Sequence, residues 1–109
     1  YGPTETTVFV TVREIYAGTQ NNNQTLLTTH QTLKTYLPIG SPIDPEIKIK
    51  LVTEQGRMIK TPGIKGELII GGPTLAKGYC DEKEKTEQAF ITLEDHKERY
   101  YKTGDEAYW

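Results

Sequence analysis

Gly66-Glu67-Leu68-Ile69-Ile70-Gly71-Gly72-Pro73 is the stretch on which the fold turns. Residues 67–70 read as a short apolar strand, and the Gly-Gly-Pro that follows closes it in a turn. Upstream, Thr61-Pro62-Gly63 is a second turn signal. Before it Ile47, Ile49 and Leu51 alternate with Lys48 and Lys50, the pattern of a half-buried strand that ends at the turn Glu54-Gln55-Gly56 in hairpin fashion. Nearer the N-terminus, residues 7–13 (Thr-Val-Phe-Val-Thr-Val-Arg) alternate and are rich in β-branched side chains, so a strand is expected there. Residues 19–35 are rich in Asn, Gln and Thr, with only Leu26, Leu27 and Leu33 to bury, and are assigned to a long surface connection without chemistry. Downstream, Asp81 stands three residues before Glu84, a capping-box spacing, and opens a short helix through Ala89 with Phe90 anchoring its end. Tyr100 and Tyr101 begin a last strand that is expected to break at Thr103-Gly104-Asp105. Short strands separated by Gly and Pro turns, with one small helix, predict a mainly β (α+β) fold: a small distorted β-barrel or a curled antiparallel sheet.

The 109 residues carry a net charge of −2 and 35% hydrophobic side chains, which fits one small domain with a modest core. Lys and Arg are scattered and outnumbered by Asp and Glu, so no footprint for nucleic acid is expected. No apolar run approaches the ~18 residues that cross a bilayer, and no basic segment followed by an apolar one opens the chain. The expectations are therefore no membrane partner and a cytoplasmic location. The single cysteine, Cys80, excludes an internal disulfide and is read as a packed or surface thiol. With Tyr1-Gly2-Pro3-Thr4 at its start and Tyr108-Trp109 at its end, the chain reads as a piece of a longer protein.

Three segments carry residues suited to chemistry. In Tyr1-Gly2-Pro3-Thr4-Glu5, an aromatic ring, a glycine, a hydroxyl and a carboxylate share five positions. The ring can cover a base, the glycine lets backbone approach closely, the hydroxyl can bond a phosphate oxygen, and the carboxylate can hold Mg²⁺ against phosphates. The same residues would equally make an ordinary turn with a capping threonine. Residues 66–79, ending Ala76-Lys77-Gly78-Tyr79, form the second segment, and Tyr101-Lys102-Thr103-Gly104-Asp105 the third. The carboxylate of Asp105 could accept hydrogen bonds from both hydroxyls of a ribose, or serve only as a turn residue.

Together and in this order, the three segments resemble the middle region of the adenylate-forming (AMP-binding) enzymes, most of all the adenylation domains of nonribosomal peptide synthetases. That region carries aromatic-Gly-x-Thr-Glu, then a Gly-Glu-Leu strand running into Arg-Gly-Tyr, then Tyr-x-Thr-Gly-Asp. Pro38-Ile39-Gly40-Ser41-Pro42-Ile43 and the pair Thr86 and Phe90 match two further family segments. The resemblance implies that this chain is a β subdomain of the large N-terminal part of such a domain, spanning residues 1–109. It implies ATP and Mg²⁺ as cofactors, with Tyr1 on adenine, Gly2 beside it, Thr4 at the α-phosphate, Glu5 on Mg²⁺ and Asp105 on the ribose. Thr4 and Glu5 would be the catalytic positions, and Val8 and Phe9, on the following strand, would line the acid pocket or simply be strand core.

The implied reaction joins ATP and an amino acid, or another carboxylic acid, into an acyl-adenylate, then passes the acyl group to the phosphopantetheine thiol of a carrier protein or to CoA. The family's phosphate loop lies upstream of these motifs and its catalytic lysine in a C-terminal lid downstream, so the chain alone is expected to be inactive. Lys77 stands where the family usually has Arg, which keeps the charge and loses the bidentate fork. Alternatives are a D-alanine or aryl-acid carrier ligase, an acyl-CoA ligase, or a non-catalytic β-barrel binding module.

Overall fold

The computed structural model describes residues 1–7, 10–12, 39–93 and 97–109. Five strands form one antiparallel, curled sheet: β3 (Lys48–Val52), β4 (Met58–Ile59), β5 (Gly66–Gly71), β6 (Phe90–Leu93) and β7 (Glu98–Ala107), in the order β4-β3-β5-β7-β6. One helix, α1 (Lys83–Ala89), precedes β6, and β1 (Thr11–Val12) pairs with β2 (Ser41–Pro42) as a separate two-stranded ribbon. Of the two expected forms, this is the curled sheet.

The quoted apolar run becomes the central strand β5. Leu68, Ile69 and Ile70 are all buried, because both faces of β5 are covered. Ile69 packs with Val52, Leu93 and Tyr100 on one side. On the other, Leu68 meets Leu51 and Ile59, and Ile70 meets Val10 and Ile47. The pairing Leu51↔Leu68 and Ile49↔Ile70 sets β3 against β5 in a register that brings these side chains together. Gly71, the last residue of the strand, has no room for a side chain, because a Cβ there would lie 2.7 Å from Cε1 of the fully buried Tyr100 ring.

Several local expectations are corrected. Thr4–Thr6 form a single 3-10 turn that ends at Thr7 with φ 58°, so the strand expected over residues 7–13 does not start at residue 7; among the described residues of that stretch, only Thr11–Val12 (β1) are strand. The capping box does not form: Asp81 has φ 56°, Glu82 occupies the N-cap, and no side chain caps the helix. Phe90 opens a strand, β6, that the sequence reading did not include. The last strand starts at Glu98 and runs through Thr103-Gly104-Asp105 instead of breaking there. The Asn- and Thr-rich connection, with Val8 and Phe9, lies outside the described residues.

Candidate functional site

The motifs at the two ends of the chain meet at one corner of the sheet. The Tyr1 hydroxyl donates to Oδ2 of Asp105, 104 positions away. The Tyr1 carbonyl accepts the backbone N–H groups of Val10 (2.9 Å) and Thr11 (3.1 Å), which fixes where the ring starts. Partial burial, and then the bond to Asp105, push the Tyr1 hydroxyl up to about 12, so it stays a donor at neutral pH.

A bulge in β7 presents Asp105. Glu67 pairs with Glu106 and Ile69 with Lys102, so Leu68 alone faces Thr103, Gly104 and Asp105. The extra backbone groups are satisfied locally. Thr103 Oγ1 donates to the Leu68 carbonyl (2.8 Å) and accepts the Asp105 N–H (3.0 Å), while the Gly104 N–H donates to Glu67 Oε1 (3.2 Å). Gly104 adopts φ 76°, a left-handed value that a side chain resists. The result is an exposed carboxylate lifted out of the ladder beside Tyr1.

Thr4 and Glu5 sit on the 3-10 turn, Thr4 exposed and Glu5 half-buried. The Glu5 carbonyl accepts the Ala76 N–H (2.8 Å), tying the first motif to the second. The Thr7 hydroxyl adds a bond to the Thr74 carbonyl (2.8 Å). Glu5 Oε1 accepts the Tyr79 hydroxyl at 2.7 Å. That bond holds the Glu5 carboxyl below the usual carboxylate range and raises the Tyr79 hydroxyl, so the pair is stable as carboxylate and phenol. Burial, with the neighbouring Tyr79 hydroxyl, raises Tyr101 as well.

An aromatic row backs this corner. Tyr79 meets Phe90 edge-on at 6.1 Å, and Phe90 meets Tyr101 at 5.3 Å. Arg99 lies 4.2 Å over the Phe90 ring and donates to the carbonyls of Ala76 (2.8 Å) and Lys77 (2.7 Å). The backbone at Lys77 is thus gripped by Arg99, while the Lys77 side chain is exposed. Cys80 is a surface thiol.

Tyr1 and Asp105 therefore touch, and Gly2, Thr4 and Glu5 follow Tyr1 into the turn, whereas Val8 and Phe9 lie outside the described residues. Tyr79, Tyr101 and Arg99 received no role from the sequence, because no spacing rule couples Glu5 to a hydroxyl 74 positions away. Among the described residues no group of three or more His, Cys, Asp or Glu could cage a metal. A lone ionised carboxylate nevertheless suits Mg²⁺, which binds through one or two carboxylates plus substrate phosphates.

The model of the AMP-binding enzyme family matches residues 1–80. The chain belongs to the AMP-binding enzyme family. Its relatives include bacitracin synthase 2 of Bacillus licheniformis, 35% identical over the whole chain and 4% of that protein. The D-alanine–D-alanyl carrier protein ligase of the same species is 39% identical, with 99% of this chain and 18% of the ligase covered. Gramicidin S synthase 1 of Brevibacillus brevis is also 39% identical, over all of this chain and 9% of that protein. Among solved structures, a four-domain nonribosomal peptide synthetase bound to AMP and glycine superposes with a TM-score of 0.73 at 33% identity, covering 97% of this chain and 7% of that one. A synthetase protein containing adenylation and carrier domains gives 0.73 at 30% identity, covering the whole chain and 20% of its counterpart. The fold is thus that of part of an adenylation domain, and the chain spans less than a fifth of the length of these curated relatives.

Proposed function

We propose that this chain forms the nucleoside- and metal-facing wall of an adenylate-forming ligase that activates an amino acid and passes it to a carrier-protein thiol. The observation that carries the reading is the Tyr1–Asp105 contact: the residue assigned to adenine and the residue assigned to ribose touch across 104 positions. One nucleoside could meet both.

In this reading a substrate carboxylate oxygen attacks the α-phosphorus of ATP, the bond to the β-phosphate bridge breaks, and pyrophosphate leaves with the electron pair. Tyr1 covers the adenine face, Gly2 gives it room, and Asp105 accepts hydrogen bonds from the ribose hydroxyls. The exposed Thr4 hydroxyl donates to an α-phosphate oxygen. Bound Mg²⁺ would offset charge on the phosphates, with Glu5 as its protein ligand. Val8 and Phe9, on the way to β1, would border the acid's side chain.

The peptide synthetases and D-alanyl carrier ligases among the relatives support an amino acid as substrate and a carrier phosphopantetheine as acceptor. Amino-acid-dependent exchange of pyrophosphate into ATP, measured on the intact enzyme that contains this chain across a panel including D-alanine, tests the proposal. Stimulation by one or a few amino acids is expected. Stimulation only by non-amino carboxylic acids, with CoA as acceptor, would move the enzyme to the acyl-CoA ligases, and no stimulation by any acid would remove the proposed activity.

A further inference from the structure

Tyr79 is anchored from several directions. Its N–H donates to Thr86 Oγ1 at 2.8 Å, which ties it to α1. Its ring lies edge-on to Phe90 and under the ammonium of Lys85, 4.5 Å from the centroid. Just before it, Arg99 grips the carbonyls of Ala76 and Lys77, and the Ala76 N–H holds the Glu5 carbonyl. From this support the Tyr79 hydroxyl reaches Glu5 Oε1 at 2.7 Å. The backbone and the side chain of Glu5 are therefore both held by the segment 76–79, the first through an amide and the second through a phenol.

A glutamate carboxylate rotates broadly about its last torsion, so a metal ligand of this type presents a fixed oxygen only when something else restrains it. The geometry points to Tyr79 as a positioning residue for the metal-binding carboxylate of Glu5. By occupying one lone-pair direction of Oε1, it leaves the remaining directions oriented before nucleotide and metal arrive. Hydrogen bonds of this outer kind orient metal ligands and raise affinity by limiting what binding must order. This inference rests on the assignment of Glu5 to Mg²⁺.

The test uses the intact enzyme, Mn²⁺ as the probe and a non-hydrolysable ATP analogue, with free Mn²⁺ followed by electron paramagnetic resonance. Tyr79→Phe keeps the ring and its packing and removes only the hydroxyl. It should weaken Mn²⁺ binding in the presence of the analogue about ten-fold. In a Glu5→Gln background it should add little, because the group it orients is already lost. Thr86→Val, which removes the acceptor for the Tyr79 N–H and leaves both atoms of the Tyr79–Glu5 hydrogen bond in place, should shift Mn²⁺ affinity in the same direction. If Glu5→Gln leaves Mn²⁺ affinity unchanged, the assignment of Glu5 itself is wrong. If Glu5→Gln weakens binding while Tyr79→Phe and Thr86→Val lower only thermal stability, Tyr79 is a packing residue and the inference falls with the metal assignment intact.

Discussion

Asp105 and Glu5 are both carboxylates, yet their surroundings differ. Asp105 is exposed, lifted on a bulge and touched by Tyr1, whereas Glu5 is half-buried and held at both backbone and side chain. In the intact enzyme, Asp105→Ala should mainly raise KM for ATP, since the proposed ribose contact would be made in ground and transition states alike. A charge-assisted hydrogen bond contributes ~1.5–3 kcal/mol, so the rise should be roughly ten- to a hundred-fold. Glu5→Gln should lower kcat more than it raises KM, because charge on the departing pyrophosphate develops in the transition state. Steady-state kinetics separate the two. If both variants changed only kcat, the ribose role of Asp105 would be wrong. Tyr1 and Asp105 stand out in the sequence because each lies in a short motif. Their contact does not, since it forms only when β7 and the N-terminal turn are brought together by the sheet.

At the scale of elements, legibility followed the strength of local pattern. The alternation of β3 and the apolar run of β5 have one physical solution each, a half-buried strand and a strand covered on both faces. Thr103-Gly104-Asp105 misled because turn chemistry and a bulge use the same residues, and only the partner strand decides between them. Asp81 misled similarly. Its spacing to Glu84 suits a cap, but the tight path from Tyr79 into α1 puts it in a left-handed conformation one residue too early. Two glycine substitutions check these elements. No atom lies within 4 Å of a Cβ built on Gly104, so Gly104→Ala meets only backbone strain and should cost about 1–2 kcal/mol in denaturant unfolding. It should also raise KM for ATP in the intact enzyme through a reoriented Asp105. Gly71→Ala instead drives a methyl into the Tyr100 ring and should cost about 1–3 kcal/mol, leaving KM for ATP unchanged if the enzyme folds. Equal effects of both on KM would deny the bulge any special relation to the nucleotide.

Across the sheet as a whole, Tyr100 is fully buried in one core cluster with Val52, Ile69 and Leu93. Its hydroxyl is not orphaned, since it donates to Glu98 Oε2 at 2.8 Å. Burial, and then that bond, push Tyr100 up to about 12 from an ordinary value near 10. The consequence for stability has a definite sign. Below about pH 10 Tyr100 is protonated in both folded and unfolded chains, so the stability associated with its neutral form is fully present. Above that pH the unfolded chain releases the proton while the folded one retains it, and stability falls steadily until the folded value of about 12 is reached. The midpoint of denaturant unfolding of this chain should therefore decline across that window. Tyr100→Phe should lower stability at neutral pH by removing the bond to Glu98, yet flatten the alkaline decline, because the titrating group is gone. Tyr1 and Tyr101 titrate high as well, so some slope should remain in the variant. A decline of the same steepness with and without the Tyr100 hydroxyl would mean that its proton is not linked to folding, and that this buried position on β7 opens to solvent before the rest of the molecule does.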